Sequence, residues 1–253
     1  MASTTGKLGL FVRSCLQLGL FLLSTGVWGI VSLFTFPFPY RIRYRVITRW
    51  SHFNLWVLER VCGIRCEVRG LENIPSQAGV VMSKHQSTWE ALALQRWFSP
   101  QTWVLKRELM WLPFFGWALA LLEPIAINRK ARAGAMRQVV KLGTRRLAQG
   151  RWLVVFPEGT RVEPGTRTRY QVGGAALAKS LGAHVVPVAH NAGRFWHPHR
   201  FIRKPGVVQV RIGPPIDTAS RSAKEVLKEV ERWIEAEMQT IEAGSAADGG
   251  ESG

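Results

Sequence analysis

Hydrophobic positions along this chain fall into stretches of different period. Residues 14–36 carry no charge and are rich in Leu, Phe, Val and Trp. As a helix this run is about 34 Å long, enough to cross a bilayer core of about 30 Å. A second, more amphipathic stretch at 53–58 suits an interfacial helix and completes a two-helix anchor. From residue 64 the pattern changes to short apolar runs, at 65–69, 79–82, 103–105, 124–127, 152–156, 184–188 and 207–212, which read as strands. Helical spacing lies between several of them, in Met136, Val139, Val140, Gly143 and Leu147, and again in Ala175, Ala176 and Lys179. Strands alternating with helices predict an α/β fold with a mixed or mostly parallel sheet flanked by helices. The last helix is marked by a Ser222–Glu225 capping box and by Val226, Leu227, Val230, Trp233, Ile234 and Ile241 on one face. Beyond Ala243 the chain is Gly, Ser, Ala and acidic residues, which predicts a disordered tail.

Length changes little in this picture: 253 residues suit one domain with an anchor. The divisions drawn are an anchor at 1–60, a folded α/β domain at 61–242 and a tail at 243–253. The apolar run is too long for a signal-peptide core and has no small-residue cleavage site before Pro37. Lys7 and Arg13 precede it and the heavier cluster of Arg41, Arg43, Arg45 and Arg49 follows, which places the folded domain on the cytoplasmic side of the inner membrane. The formal charge of +17 implies anionic partners, either headgroups, phosphorylated substrates or nucleic acid. No recognised nucleic-acid motif interleaves these cations with aromatics, so nucleic acid is set aside. Cys15, Cys62 and Cys66 form neither a disulfide framework nor a metal set and read as reduced thiols. His197 and His199 have no acidic or Cys neighbour in sequence, and no metal or other cofactor is assigned.

Two strand-then-turn stretches carry the candidate chemistry. In the first, the run ending at Met82 passes into Ser83-Lys84-His85-Gln86-Ser87-Thr88-Trp89-Glu90. An imidazole oriented by a carboxylate is the pairing that takes a proton from an alcohol at neutral pH. Ser87 and Glu90 also fit a helix capping box, and in that reading Glu90 only caps and His85 is a loop residue. The second stretch is Val154-Val155-Phe156-Pro157-Glu158-Gly159-Thr160-Arg161, which alone is compatible with an ordinary turn. If the strands are parallel, Lys106, Arg129, Lys130 and Arg161 gather at their carboxyl ends, where open α/β sheets bind ligands. Between the two stretches, Trp111-Leu112-Pro113-Phe114-Phe115-Gly116-Trp117 reads mainly as the core side of a helix, with some side chains available to line an apolar ligand pocket.

Taken in order, these blocks resemble the glycerophospholipid acyltransferase family over roughly residues 50–215. The family pattern is His, four residues, Asp, then an Arg-bearing segment, then Phe-Pro-Glu-Gly-Thr-Arg, then an apolar strand containing Pro. Here they fall at His85 to Glu90, at Ile125-Ala126-Ile127-Asn128-Arg129, at Phe156 to Arg161 and at Val185-Val186-Pro187-Val188, and Lys106-Arg107-Glu108-Leu109 also fits. Glu90 stands where the family usually has Asp. The resemblance implies a membrane-bound O-acyltransferase that passes an acyl group from acyl-CoA or acyl carrier protein to lysophosphatidic acid, giving phosphatidic acid. It implies His85 and Glu90 as the catalytic pair. It also implies Lys106, Arg129, Glu158, Gly159, Thr160 and Arg161 as substrate-binding residues. Other lysolipid acceptors, such as a lyso-ornithine lipid or a headgroup-bearing lysophospholipid, and a non-enzymatic basic membrane protein are the alternatives.

Overall fold

The structure is a computed structural model that describes residues 4–127 and 132–247. The first apolar run folds as α1 (Thr4–Leu33), which turns back into α2 (Tyr40–Cys62). Seven strands follow: β1 (Ile64–Arg69), β2 (Val80–Ser83), β3 (Gln101–Lys106), β4 (Ile125–Ile127), β5 (Trp152–Val155), β6 (Val185–His190) and β7 (Gly206–Ile212). Each matches one of the short apolar runs to within a residue or two. The remaining helices are α3 (Trp89–Ala93), α4 (Phe115–Leu121), α5 (Arg132–Ala148), α6 (Gly173–Ser180) and α7 (Ala223–Ala247).

The strands form one sheet in the order β1-β7-β6-β2-β5-β3-β4. From β6 to β4 all neighbours are parallel, while β7 runs antiparallel to β6 and carries β1 parallel to itself. The sheet is therefore mixed and flanked by helices, as the periodicity predicts. Every residue of β2 and of β6 is buried, as expected of central strands covered on both faces. The pleat sorts them: Val81, Val154, Val186 and Val188 join the cluster under α2 and α3, and Val80, Met82, Leu153 and Val185 the cluster under α5, α6 and α7. Since β5 and β6 lie on opposite sides of β2, the chain order reverses there and opens a crevice at the carboxyl end of β2.

Three local differences from the sequence expectations have physical causes. The boundary drawn at residue 60 cuts through a helix that belongs to the core, because Tyr44, Ile47, Leu55, Leu58 and Cys62 of α2 pack into the first cluster. Most of residues 111–117 are not core. Trp111 is 69% exposed and Leu112, Phe114 and Trp117 are exposed with it, while Phe115 alone of the aromatics turns inward to meet Trp50. Apolar spacing identifies a face but not the medium that it meets. Finally, α7 runs on to Ala247, past the start of the tail drawn at 243, with Ser222 and Glu225 exchanging hydrogen bonds at its start. Val226, Val230, Ile234, Met238 and Ile241 bury its inner face, and a helix so anchored propagates cheaply into weak formers. The last residues of the tail, 248–253, lie outside the described residues.

α1 is inverted relative to an ordinary surface helix. Ser14, Gln17, Ser24 and Ser32 are buried against the domain, while Leu8, Phe11, Leu16, Leu22, Leu23, Val27 and Ile30 point outward. The stretch Gly6–Leu33 is long and apolar enough to cross a membrane. It is nonetheless docked along much of its length. Ser14 Oγ accepts from the Arg203 N–H at 2.9 Å, and Ser24 Oγ accepts from Trp50 Nε1 and Asn54 Nδ2, both at 3.2 Å. Gly29 lies so near Phe114 that a Cβ there would sit 2.5 Å from the Phe114 Cβ.

Candidate active site

β2 delivers Lys84 and His85 to the crevice, and the chain then turns into α3. One oxygen of Glu90, in the first turn of α3, gathers three donors. His85 Nδ1 is 2.8 Å away, the Gln86 N–H 2.9 Å and the Ser87 N–H 2.8 Å. Glu90 thus supports the turn and holds the imidazole at once, so the capping and catalytic readings are two aspects of one contact. Glu90 is fully buried. Burial pushes its carboxyl up, but His190, His85 and the backbone N–H of Ser87 outweigh burial and hold it below the usual carboxylate range. It is a carboxylate, so His85 Nδ1 donates to it and Nε2 is the ring nitrogen outside this contact.

The rest of His85 is pinned with equal completeness. Its N–H donates to Glu158 Oε2 at 2.6 Å and its carbonyl accepts from the Val162 N–H at 2.8 Å. The ring stacks on Phe156, with centroids 3.9 Å apart and planes 13° from parallel. Behind it, His190 Nε2 donates to the Lys84 carbonyl at 2.8 Å, and burial keeps this histidine toward its neutral form. The side chain of His85 retains partial exposure, so Nε2 is the atom left for a substrate.

β5 supplies the second turn. Gly159 takes a positive φ of 71°, the left-handed conformation that glycine adopts freely, and its N–H bonds to the Phe156 carbonyl at 3.0 Å. This bend brings the exposed Arg161 back over α3, where Nη1 donates to Thr88 Oγ1 at 3.2 Å. Thr160 is exposed beside it and Gly159 half-buried. The structure therefore gathers His85, Glu90, Gly159, Thr160 and Arg161 around one crevice. Lys106 ends β3 on the same edge, exposed, in register with Ile127 of β4. Arg129 falls outside the described residues.

Glu158 does not face the crevice. It is buried, with one oxygen on the His85 N–H and the other 2.8 Å from Lys84 Nζ. Burial weighs on both partners of this ion pair: the ammonium stays charged, while the Glu158 carboxyl is left above its usual range. Both oxygens are thus committed to the interior, which corrects its placement among the residues that touch substrate. Sequence reasoning missed Lys84, Phe156, Thr88 and His190. The only available signal for Lys84 was a cation immediately after a buried strand and immediately before His85. None of the cysteines is paired, and among the described residues no group of His, Cys, Asp or Glu is placed to hold a metal.

The acyltransferase family model matches residues 65–191. Over 235 residues the chain is 45% identical to the 1-acyl-sn-glycerol-3-phosphate acyltransferase of Pseudomonas aeruginosa, covering 91% of each protein. It is 32% identical over 168 residues to the alpha form of that enzyme from Mus musculus, covering 65% of this chain and 59% of the mouse protein. The crystal structure of the 1-acyl-sn-glycerophosphate acyltransferase PlsC from Thermotoga maritima has the same fold, with a TM-score of 0.79 at 22% identity over 94% of this chain and 98% of that one. The chain belongs to the acyltransferase family and is an O-acyltransferase.

Proposed function

We propose that the protein acylates the free hydroxyl of lysophosphatidic acid from an acyl-CoA or acyl carrier protein thioester, giving phosphatidic acid. The observation that carries this reading is the His85–Glu90 contact of 2.8 Å with Arg161 tied to Thr88 beside it. In this reading Nε2 of His85 removes the hydroxyl proton as the oxygen attacks the thioester carbonyl. The tetrahedral intermediate collapses, expelling the thiolate, which takes the proton back from the imidazolium. Glu90 stabilises that imidazolium while it exists. The nucleophile belongs to the substrate, so no acyl-enzyme forms. Arg161 suits the phosphate, since a guanidinium meets it through two parallel hydrogen bonds, and Lys106 adds a point charge on the same edge. The names of the relatives support the same acceptor.

The inverted polarity of α1 supports attachment to the bilayer, with its outer face in the acyl-chain region. Docking of Ser14, Ser24 and Gly29 onto the domain supports a helix lying along one leaflet rather than leaving the domain to span both. The exposed Trp111, Leu112, Phe114 and Trp117 continue that apolar face, and the cluster of Arg41, Arg43, Arg45 and Arg49 after α1 supports a domain on the cytoplasmic side.

The test is acyl transfer by purified protein in detergent, with acyl-CoA and acyl carrier protein as alternative donors. The acceptors are lysophosphatidic acid, a headgroup-bearing lysophospholipid and a lyso-ornithine lipid. A marked preference for lysophosphatidic acid is expected. Equal use of all three sinks the assignment of Arg161 to a phosphomonoester, and no transfer to any of them sinks the reading.

A further inference from the structure

We infer that Glu235 of α7 and Tyr170, in the loop before α6, are positioning residues for acyl transfer, acting through the buried Lys84–Glu158 pair on the backbone of His85. This rests on the reading of His85 as the base.

Lys84 is 2% exposed, and its Nζ lies 2.8 Å from Glu158 Oε1 and 2.9 Å from Glu235 Oε1. The Tyr170 hydroxyl donates to that same Glu235 oxygen at 2.8 Å, and the ammonium sits 5.7 Å from the centre of the Tyr170 ring. Burial and the carboxylates of Glu158 and Glu235 raise the Tyr170 pKa, so the phenol keeps its proton and remains a donor. For Lys84 burial opposes the charge, but Glu158 and Glu235 outweigh it and raise its pKa above that of an ordinary lysine. The remaining oxygen of Glu235 faces the exposed Arg167 at 4.0 Å.

A buried ion-pair network of this kind is a poor way to gain stability, because apolar groups of similar volume do as well or better. Its distinguishing property is directional. Lys84 is the residue immediately before the base, and Glu158 holds the Lys84 ammonium with one oxygen and the His85 N–H with the other. Tyr170 and Glu235 fix the ammonium from the far side, so a contact on the last helix is relayed to the turn that aims Nε2. Neither residue reaches the crevice, so substrate binding need not depend on them.

Steady-state kinetics on Glu235→Gln and Tyr170→Phe, well below the melting temperature of each, tests this. Glu235→Gln is expected to lower kcat about tenfold, the scale of a sub-ångström misalignment. The KM for lysophosphatidic acid and for the thioester should stay within about twofold. Tyr170→Phe should shift kcat in the same direction by less, and combining the two should cost less than the product of the single losses, since both act through one ammonium. A folded Glu235→Gln enzyme with unchanged kcat overturns the inference. So does a loss confined to melting temperature, or one carried by KM. If Glu235→Gln does not fold, Tyr170→Phe decides alone, and an unchanged kcat there rejects the inference. His85→Ala assayed alongside keeps the two ideas apart: near-normal turnover in it rejects the base itself, whereas an inactive His85→Ala with a normal Glu235→Gln rejects only the relay.

Discussion

Two segments leave the same edge of the sheet with only β5 between them, and they are built in opposite ways. After β2, almost every polar group of the turn is held. The Lys84 N–H bonds to the Val188 carbonyl, the Lys84 carbonyl to His190, both backbone groups of His85 to the second turn, and the next two N–H groups to Glu90. After β3, the turn at Arg107–Trp111 buries no residue, Phe114 sits at a positive φ of 62°, and the large side chains point outward. Hydrogen bonds are concentrated around His85, and exposed apolar side chains around the other turn. A contiguous exposed apolar patch of this kind is unfavourable in water and marks an interface.

The first side of this contrast breaks most readily at His85. His85→Ala should lose about a hundredfold to ten-thousandfold in turnover while remaining folded, the usual worth of a general base. Glu90→Gln is sharper. An amide oxygen can still accept from the Gln86 and Ser87 N–H groups, so the melting temperature should fall little. The charge that stabilises the imidazolium is gone, and turnover should fall by about a hundredfold, the low end of that range. Glu90→Asp keeps the charge but withdraws it by one methylene, and should lie between Gln and the wild type. Turnover and melting temperature measured on the same variants decide: a Glu90→Gln defect that tracks stability alone would leave only the cap.

Arg161 stands between the two regions, anchored to Thr88 but exposed. A charge-assisted contact is worth roughly 1.5–3 kcal/mol, so Arg161→Ala should raise the KM for lysophosphatidic acid by about ten- to a hundredfold. The KM for the thioester should change much less. Lys106→Ala should act in the same direction more weakly. Equal effects on both substrates would make Arg161 a brace for the turn rather than a phosphate ligand.

What the sequence conveys follows the same division. The strands were legible because each is a short apolar run, and His85, Glu90 and Arg161 because they lie in the polar stretches that follow two such runs, in the order of a known family. Glu90 looked ambiguous because one of its oxygens meets both the N–H groups of the turn and His85 Nδ1. Lys84 was hidden because its partner Glu235 is far away in sequence and an isolated lysine normally reads as solvated. Glu158 was misplaced for a related reason: a carboxylate in a conspicuous turn looks outward until its partners are known. Residues 111–117 were misread because apolar spacing is the same toward a core and toward the outside.

The smallest expected effect probes the second side. Trp111→Ser with Trp117→Ser removes two exposed rings that meet no core, so stability in detergent should change by no more than about 0.5 kcal/mol for each surface site. If the segment extends the apolar face of α1, the double variant should bind vesicles of zwitterionic and anionic phospholipid several-fold more weakly, because indole rings favour the membrane interface. The loss should persist at 1 M salt, since it is apolar area that has been removed rather than charge. The α1 contact remains, so the protein should stay partly bound. Turnover on a lysolipid dispersed in detergent should be preserved, while turnover on the same lipid embedded in vesicles should fall with binding. Unaltered vesicle binding would mean that these rings face water, and the contrast between a pinned turn and a lipid-facing one would then fail on this side alone, with His85 and Glu90 untouched.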